Sequence, residues 1–257
     1  MKRLAALIVA LLCSLTAAAH AEKVVLSLSN HRVAITSNFT GEDLVLFGAI
    51  EASEPGALLR NNYDIVVTVI GPRQTYRTRR KERVLGIWVN VDSRPFLNVP
   101  SYLSVLSNRP FTHLTDTEKL RKEQIGLDNY VLTQRVGADF ADTVREDPFR
   151  AAFVRIENEA GLYNESATAV KFITSTVFRA AIPLPSKVPT GVYLTEVKVF
   201  VGGDIVARGE TAFEITKAGF EEYVAEAARD HGFLYGLATM LLALLTGWFA
   251  SVVLRRD

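Results

Sequence analysis

The sequence ends in an uncharged stretch long enough to cross a membrane. Gly232 to Leu254 is 23 residues without a charged side chain, and Arg255, Arg256 and Asp257 follow. As an α-helix this stretch is about 34 Å long, whereas the hydrocarbon core of a bilayer is about 30 Å thick. A buried core helix is the alternative, but so long an uncharged run favours a membrane span. We predict a transmembrane helix over 232–254 and a tail over 255–257.

The first 21 residues have the pattern of a secretory signal peptide. Lys2 and Arg3 precede an apolar run from Leu4 to Leu15, and Ala19-His20-Ala21 places small residues at the cleavage site. A cut two residues earlier is an alternative. Cys13 is the one cysteine of the sequence and lies inside the signal, so the mature chain has neither a disulfide nor a cysteine metal site. The signal predicts an exported body and a cytoplasmic tail, hence a single-pass membrane protein.

Charge and hydrophobicity exclude two broad classes for the exported part. Residues 22–231 carry 25 basic and 27 acidic side chains, and 49% of the full chain is hydrophobic. Disordered chains combine low hydrophobicity with high net charge, so the exported part is a folded domain. Nucleic-acid binders show a strong cationic excess, so we predict no nucleic-acid partner.

The first part of this domain, residues 22–107, is rich in strand patterns. β-branched and aromatic runs alternate with turn signals such as Ser29-Asn30, Thr40-Gly41, Glu54-Pro55-Gly56 and Gly71-Pro72. Short strands at this spacing are typical of a β-sandwich. The predicted strands are Val24–Ser29, Arg32–Thr36, Leu44–Ile50, Tyr63–Ile70, Arg73–Arg83 and Val84–Val91.

A helical insertion follows over about 112–161. Thr115-Asp116-Thr117-Glu118 has the form of a capping box and predicts a helix through about Ile125. Asp147-Pro148 combines an N-cap with a first-turn proline, and Gly161 stands where a C-terminal cap belongs. We predict two or three helices in this insertion.

Strands return after the insertion. One is predicted over 169–181, and Gly191–Val201 and Ile205–Ile215 flank the turn Gly202-Gly203-Asp204. Polar residues such as Lys198 alternate with valines, which predicts a half-exposed antiparallel pair. The whole pattern predicts a mainly β, immunoglobulin-like sandwich over 22–217 with the helical insertion. A juxtamembrane helix over 218–231 would lead into the membrane span.

The search for catalytic and metal motifs finds none. The sequence has no phosphate-binding glycine loop, paired-histidine helix motif, nucleophile elbow or calcium loop. The mature histidines, His31, His113 and His231, are far apart and lack ligand spacing. We therefore predict neither an enzyme nor a bound cofactor or metal.

A row of cations on one predicted strand is the sharpest local feature. Residues at alternate positions share one face of a strand, about 6.6 Å apart. One interpretation is a solvated edge strand, in which cations discourage edge-to-edge pairing. The other is a contact surface for anionic lipid headgroups or an acidic protein. The five cations at odd positions are Arg73, Arg77, Arg79, Lys81 and Arg83.

The predicted membrane helix carries a stripe of small residues. In lipid, helices associate by close van der Waals approach and by interhelical hydrogen bonds, which a small-residue stripe with threonine hydroxyls would allow. Chance is the alternative, because small residues are common in membrane helices. We predict a helix–helix interface, with a second copy or with a multi-span partner. The stripe consists of Gly232, Gly236, Thr239, Ala243, Thr246 and Ala250.

Several segments across nearly the whole mature chain form a recognisable pattern. They are Ser29-Asn30-His31-Arg32-Val33-Ala34-Ile35, Phe39-Thr40-Gly41, Leu46-Phe47-Gly48-Ala49, Tyr63-Asp64-Ile65-Val66-Val67, Val69-Ile70-Gly71-Pro72, Gly86-Ile87-Trp88-Val89-Asn90, Pro100-Ser101-Tyr102, Phe178-Arg179-Ala180-Ala181-Ile182-Pro183-Leu184-Pro185 and Pro189-Thr190-Gly191-Val192-Tyr193. Together these segments resemble a family of alphaproteobacterial transmembrane proteins.

The resemblance implies a Gram-negative inner-membrane location, with the body in the periplasm, and an accessory role beside a transporter. It implies no catalytic residues. Our first hypothesis is therefore a periplasmic accessory or binding module anchored beside an integral membrane partner. The second is an anchored receptor or enzyme that acts on a small anion through the face over 73–83.

Overall fold

The fold is that of a computed structural model. The residues it describes are 22–52, 59–60, 62–136, 139–142, 147–219, 224 and 228–254. The described strands are β1 (Glu22–Leu28), β2 (Arg32–Ile35), β3 (Gly41–Ala52), β4 (Asp64–Ile70), β5 (Arg73–Val84), β6 (Ile87–Pro100), β7 (Leu103–Ser107), β8 (Thr133–Val136), β9 (Asp139–Asp142), β10 (Tyr163–Ser166), β11 (Val170–Phe172), β12 (Val177–Pro185), β13 (Gly191–Val201) and β14 (Asp204–Lys217). The described α-helices are α1 (Thr117–Lys122), α2 (Pro148–Glu159) and α3 (Gly232–Leu254), and a 3₁₀ turn spans Phe111–His113.

Two sheets form the predicted sandwich. The first has the order β1-β3-β12-β11, and the second has the order β10-β7-β4-β13-β14-β2. Most neighbours are antiparallel, but β10 pairs with β7, and β14 with β2, in parallel. Alternate residues of the first sheet, such as Leu46 and Phe178, pack against Val67, Val197 and Phe213 of the second. Burying one face of each sheet in this way is what the alternating pattern predicted, and the mainly β sandwich is confirmed.

Part of the second sheet is covered on both faces. Val66 of β4 and Phe200 of β13 point away from the sandwich and pack with Leu120 of α1 and Phe153 of α2. The predicted half-exposed strand pair is therefore wrong for the second half of β13, where Lys198 is buried, whereas Val192 and Leu194 in the first half are exposed. The reason is that the helical insertion lies over a face whose polar residues had suggested contact with water.

A third sheet, β5-β6-β8-β9, begins as an extension of the second. The backbone N–H of Gly71 donates to Tyr102 O over 2.8 Å, and that of Ser101 donates to Pro72 O over 2.9 Å. These bonds join the β4–β7 pair to the β5–β6 hairpin. A Cβ on Gly71 would lie 2.8 Å from the Cβ of Tyr102, so the close approach of the strands requires glycine here.

Several boundaries differ from the predicted ones. Asp147 caps α2 as predicted, with its Oδ1 accepting from two backbone N–H groups. The cap of α1 is Asp116 and not Thr115, whose hydroxyl donates instead to Gly203 O of a distant turn. The turn between β5 and β6 lies at Leu85-Gly86, whereas the predicted strands met between residues 83 and 84.

The membrane helix has the predicted bounds, with α3 spanning Gly232–Leu254. Its segment Gly232–Ser251 is long and apolar enough to cross a membrane and is not buried by the rest of the chain. The predicted signal peptide and the tail over 255–257 lie outside the described residues, as does half of the predicted juxtamembrane helix.

Candidate interaction surface

The outer part of the β5–β6 hairpin projects from the body. We call residues 79–91 the arm, because every residue in this segment is exposed. β5 is an edge strand of the third sheet, and Arg79, Lys81 and Arg83 lie at alternate positions along it. Arg77 continues this face just below the arm and is also exposed. We call Arg77, Arg79, Lys81 and Arg83 the basic row; Arg77 lies just outside the arm and the other three lie within it.

The basic row is not neutralised by described parts of the chain. Arg77, Arg79 and Lys81 form no ion pair with a described residue, and Arg83 Nε donates only to the carbonyl oxygen of Gly86, over 3.3 Å. Arg80, on the opposite face, pairs with Glu82 at 3.1 Å. The positive charge of the arm is therefore concentrated on one face.

Arg73, the fifth cation predicted for this face, differs from the other four in its hydrogen bonds. Its guanidinium donates to Asn98 O over 2.9 Å and to the Tyr130 hydroxyl over 3.3 Å. Burial raises the pKa of Tyr130, an effect that the nearby Arg73 partly offsets. Arg73 therefore joins the base of the hairpin to the helical layer, although its side chain is still exposed.

The end of the arm is apolar, which the sequence reasoning missed. Leu85, Ile87 and Trp88 have exposed fractions of 98%, 70% and 69%. Leu85 and Gly86 form the two-residue turn with φ values of 49° and 87°, both in the left-handed region. Val84 to Val91 had been predicted only as a strand, because an apolar strand pattern does not say whether anything covers it. We call Val84, Leu85, Ile87, Trp88 and Val89 the tip.

A charged cleft lies where the helical layer meets the second sheet. Its cavity of about 280 Å³ is lined by Arg73, Tyr130, Lys198 and others. Lys198 Nζ lies 3.7 Å from a carboxylate oxygen of Glu123 and 3.5 Å from one of Glu196. Two carboxylates face three cations in this lining, and the Lys198–Glu123 pair joins β13 to the end of α1.

The small-residue stripe of α3 is free of contacts with other parts of the described chain. Added Cβ atoms on Gly232 and Gly236 would meet nothing within 4 Å. The hydroxyls of Thr239 and Thr246 donate to carbonyl oxygens of their own helix, over 3.0 Å to Gly236 O and 2.9 Å to Leu242 O. The threonines were expected to supply interhelical hydrogen bonds, but these donors are already used. Close packing along the stripe remains available.

The described part of the chain contains no candidate metal-binding site. No group of three or more histidine, cysteine, aspartate or glutamate side chains there could hold a metal ion. What the described residues present is a projecting surface and a membrane helix.

A β-sandwich domain followed by a candidate membrane-spanning helix defines a class of membrane proteins in which a large β-rich domain precedes a C-terminal helix. Within that class, the chain belongs to the family described as "Putative transmembrane protein (Alph_Pro_TM)", whose family model matches residues 23–256. A comparison with curated proteins found no match.

Proposed function

We propose that this protein is a membrane-anchored periplasmic accessory or binding protein that associates with an integral inner-membrane partner such as a transporter. The β-rich domain would lie in the periplasm and the C-terminus in the cytoplasm. The cleavable signal pattern over 1–21 and the single span of α3 support this orientation.

The observation that carries the proposal is the unpartnered small-residue stripe of α3. An anchor needs only hydrophobic length, and Gly and Thr add little of it. A row of small residues instead lets another helix approach closely, and dispersion contacts then stabilise the pair in lipid. Because the described chain contains no second helix to fill this stripe, the partner is a different protein or a second copy.

The test is affinity purification of the full chain from native membranes, followed by mass spectrometry. Gly236→Leu/Ala243→Leu fills the stripe while keeping the helix apolar. Ala238→Leu/Ser251→Leu adds the same two leucines away from the stripe and serves as the control. We expect the stripe variant, and not the control, to lose a membrane partner or self-association. If both variants recover the same proteins as the parent chain and self-associate equally, α3 is only an anchor.

The alternative, a receptor or enzyme for a small anion, has one observation in its favour. Arg73, Lys122 and the Tyr130 hydroxyl line the charged cleft. Glu123 and Glu196 line it too, so an anion would meet repulsion as well as attraction. Titration of the full chain in detergent with sulfate, and of an Arg73→Gln variant, checks this alternative. It requires saturable binding that the substitution abolishes.

A further inference from the structure

We propose that the arm inserts its apolar tip into the bilayer that holds α3, with its basic row against anionic lipid headgroups. This inference concerns lipid contact and does not require the protein partner proposed above. It rests on how apolar and basic side chains are distributed on the arm, and on where the arm leaves the domain.

The tip is apolar on both faces and at its turn. Trp88 pairs directly with Arg83 and so lies on the face of the basic row, whereas Ile87 pairs with Val84 on the opposite face. Leu85 forms the turn between them. A protein groove usually covers one face of a strand pair. Lipid surrounds an inserted tip on every side, so apolar residues on both faces favour a bilayer.

The order of residues along the arm matches the layers of a membrane surface. Leu85 and the Val84–Ile87 pair come first, Arg83 is level with Trp88, and Lys81, Arg79 and Arg77 follow at steps of about 6.6 Å. The polar layer on each side of the hydrocarbon core is roughly 5–7 Å thick. With the tip at the acyl boundary, Arg83 and Lys81 would reach the phosphates. Arg79 would remain close to the surface potential, which decays over about 8 Å at physiological salt.

The arm also leaves the domain at the end where β14 finishes and the chain continues toward α3. Gly191 pairs with Ile215 near the end of β14, and a Cβ on Gly191 would lie 3.0 Å from Pro72, which precedes β5. The root of the arm is therefore next to the point from which the chain proceeds to α3. Residues 218–231 can span at most about 50 Å, and a strand of the length of β5 is about 40 Å long. The arm can thus reach the same bilayer.

Leu85 gives an independent reason to expect a contact at the tip. A left-handed conformation disfavours any residue with a Cβ, and the usual occupants of this turn are Asn, Asp and Gly. A leucine here combines an unfavourable backbone conformation with an exposed fraction of 98%. Insertion into lipid would remove that side chain from water.

The experiment uses the full chain in proteoliposomes and follows Trp88. The sequence has two tryptophans, so Trp248→Phe leaves Trp88 as the single tryptophan, which is excited selectively over the tyrosines at the red edge of the absorption band. Vesicles contain phosphatidylcholine alone or phosphatidylcholine mixed with phosphatidylglycerol, each with and without acyl-brominated lipid. We expect blue-shifted Trp88 emission in the anionic vesicles, with at least half of it quenched by the brominated lipid.

Charge reversal in the basic row provides the second measurement. Arg77→Glu/Arg79→Glu/Lys81→Glu should expose Trp88 to aqueous iodide, since each cation near an anionic surface contributes about fivefold to partitioning. The matched control is Lys23→Glu/Lys171→Glu/Lys187→Glu, which changes the net charge equally at exposed sites outside the arm. We expect the control to keep the lipid quenching.

Three results would overturn the proposal. The first is water-exposed Trp88 emission in the anionic vesicles. The second is equal quenching in the arm variant and in the control. The third is shielding of Trp88 in native membranes but not in pure lipid vesicles, which would make the occupant of the tip a protein. A lost partner in the purification with normal lipid quenching would concern only the α3 proposal.

Discussion

The buried guanidinium of Arg150 should be one of the main supports of the helical layer. Arg150 lies on α2 with an exposed fraction of 4%. Its Nη2 donates to the carbonyl oxygens of Leu127, Asp128 and Tyr130 over 3.1, 3.1 and 3.0 Å. These bonds hold the loop that carries Tyr130, the residue that Arg73 contacts at the base of the arm.

Arg150→Met keeps the apolar length of the side chain and removes its donors. Hydrogen bonds to a charged group contribute about 1.5–3 kcal/mol each, but their loss is offset in part because no guanidinium is then desolvated. We expect a net loss of about 3 kcal/mol in the free energy of unfolding. For a domain of this size, that loss corresponds to about 6–12 °C in Tm. The assay is thermal unfolding of the full chain in detergent, followed by the circular dichroism of the strands.

Arg155→Met on the same helix is the matched control. Arg155 is exposed and pairs with Glu159 at 3.4 Å, one turn further along. Such surface pairs contribute less than about 1 kcal/mol. If the Tm values of the two variants differ by less than about 2 °C, water satisfies the three carbonyl oxygens and the assigned role of Arg150 is wrong.

Three further predictions concern single side chains. Burial raises the pKa of the Glu157 carboxyl above its ordinary value of 4.5, so the folded state binds that proton more readily than the unfolded state. Stability from this group is present below the ordinary value and falls as the pH rises through the raised one. Glu157→Gln should therefore raise Tm at pH 7, by an amount that shrinks toward pH 4; an unchanged difference across that range would contradict the assignment. Leu85→Asn should raise the free energy of unfolding by about 1 kcal/mol in urea titrations and reduce lipid quenching of Trp88; a loss of stability would show that Leu85 has contacts within the chain. Asp147→Ala removes the cap of α2 and should lower the free energy of unfolding by about 1 kcal/mol in the same titrations, whereas Asp147→Ser should retain most of the stability.

The two attachment points proposed here would act together. Once α3 is in the bilayer, the arm faces lipid at a high effective concentration, so even weak insertion would hold the domain in one orientation. A domain oriented in this way would present the same face to a neighbouring integral protein. The lipid and partner experiments test these two steps separately.

Features that depend on a few adjacent residues were predictable from the sequence. The length of α3 follows from an uncharged run, and the cap of α2 follows from Asp147-Pro148. The turn between β13 and β14 needs two residues in the left-handed region, and Gly202-Gly203 supplies them. In each case the interactions that determine the structure are local, so they can be read without knowing the rest of the fold.

Burial and the direction of side chains were decided by tertiary structure. Lys198 has the alternation of an exposed strand, but the helical insertion covers it. Arg73 has the spacing of the basic row, but its guanidinium donates to Asn98 O and to the Tyr130 hydroxyl. Conversely, Trp88 and its neighbours have a core-like pattern and are exposed because no element in the described part of the chain packs over the tip. A strand pattern specifies which residues share a face, whereas the partner of that face comes from a distant part of the chain.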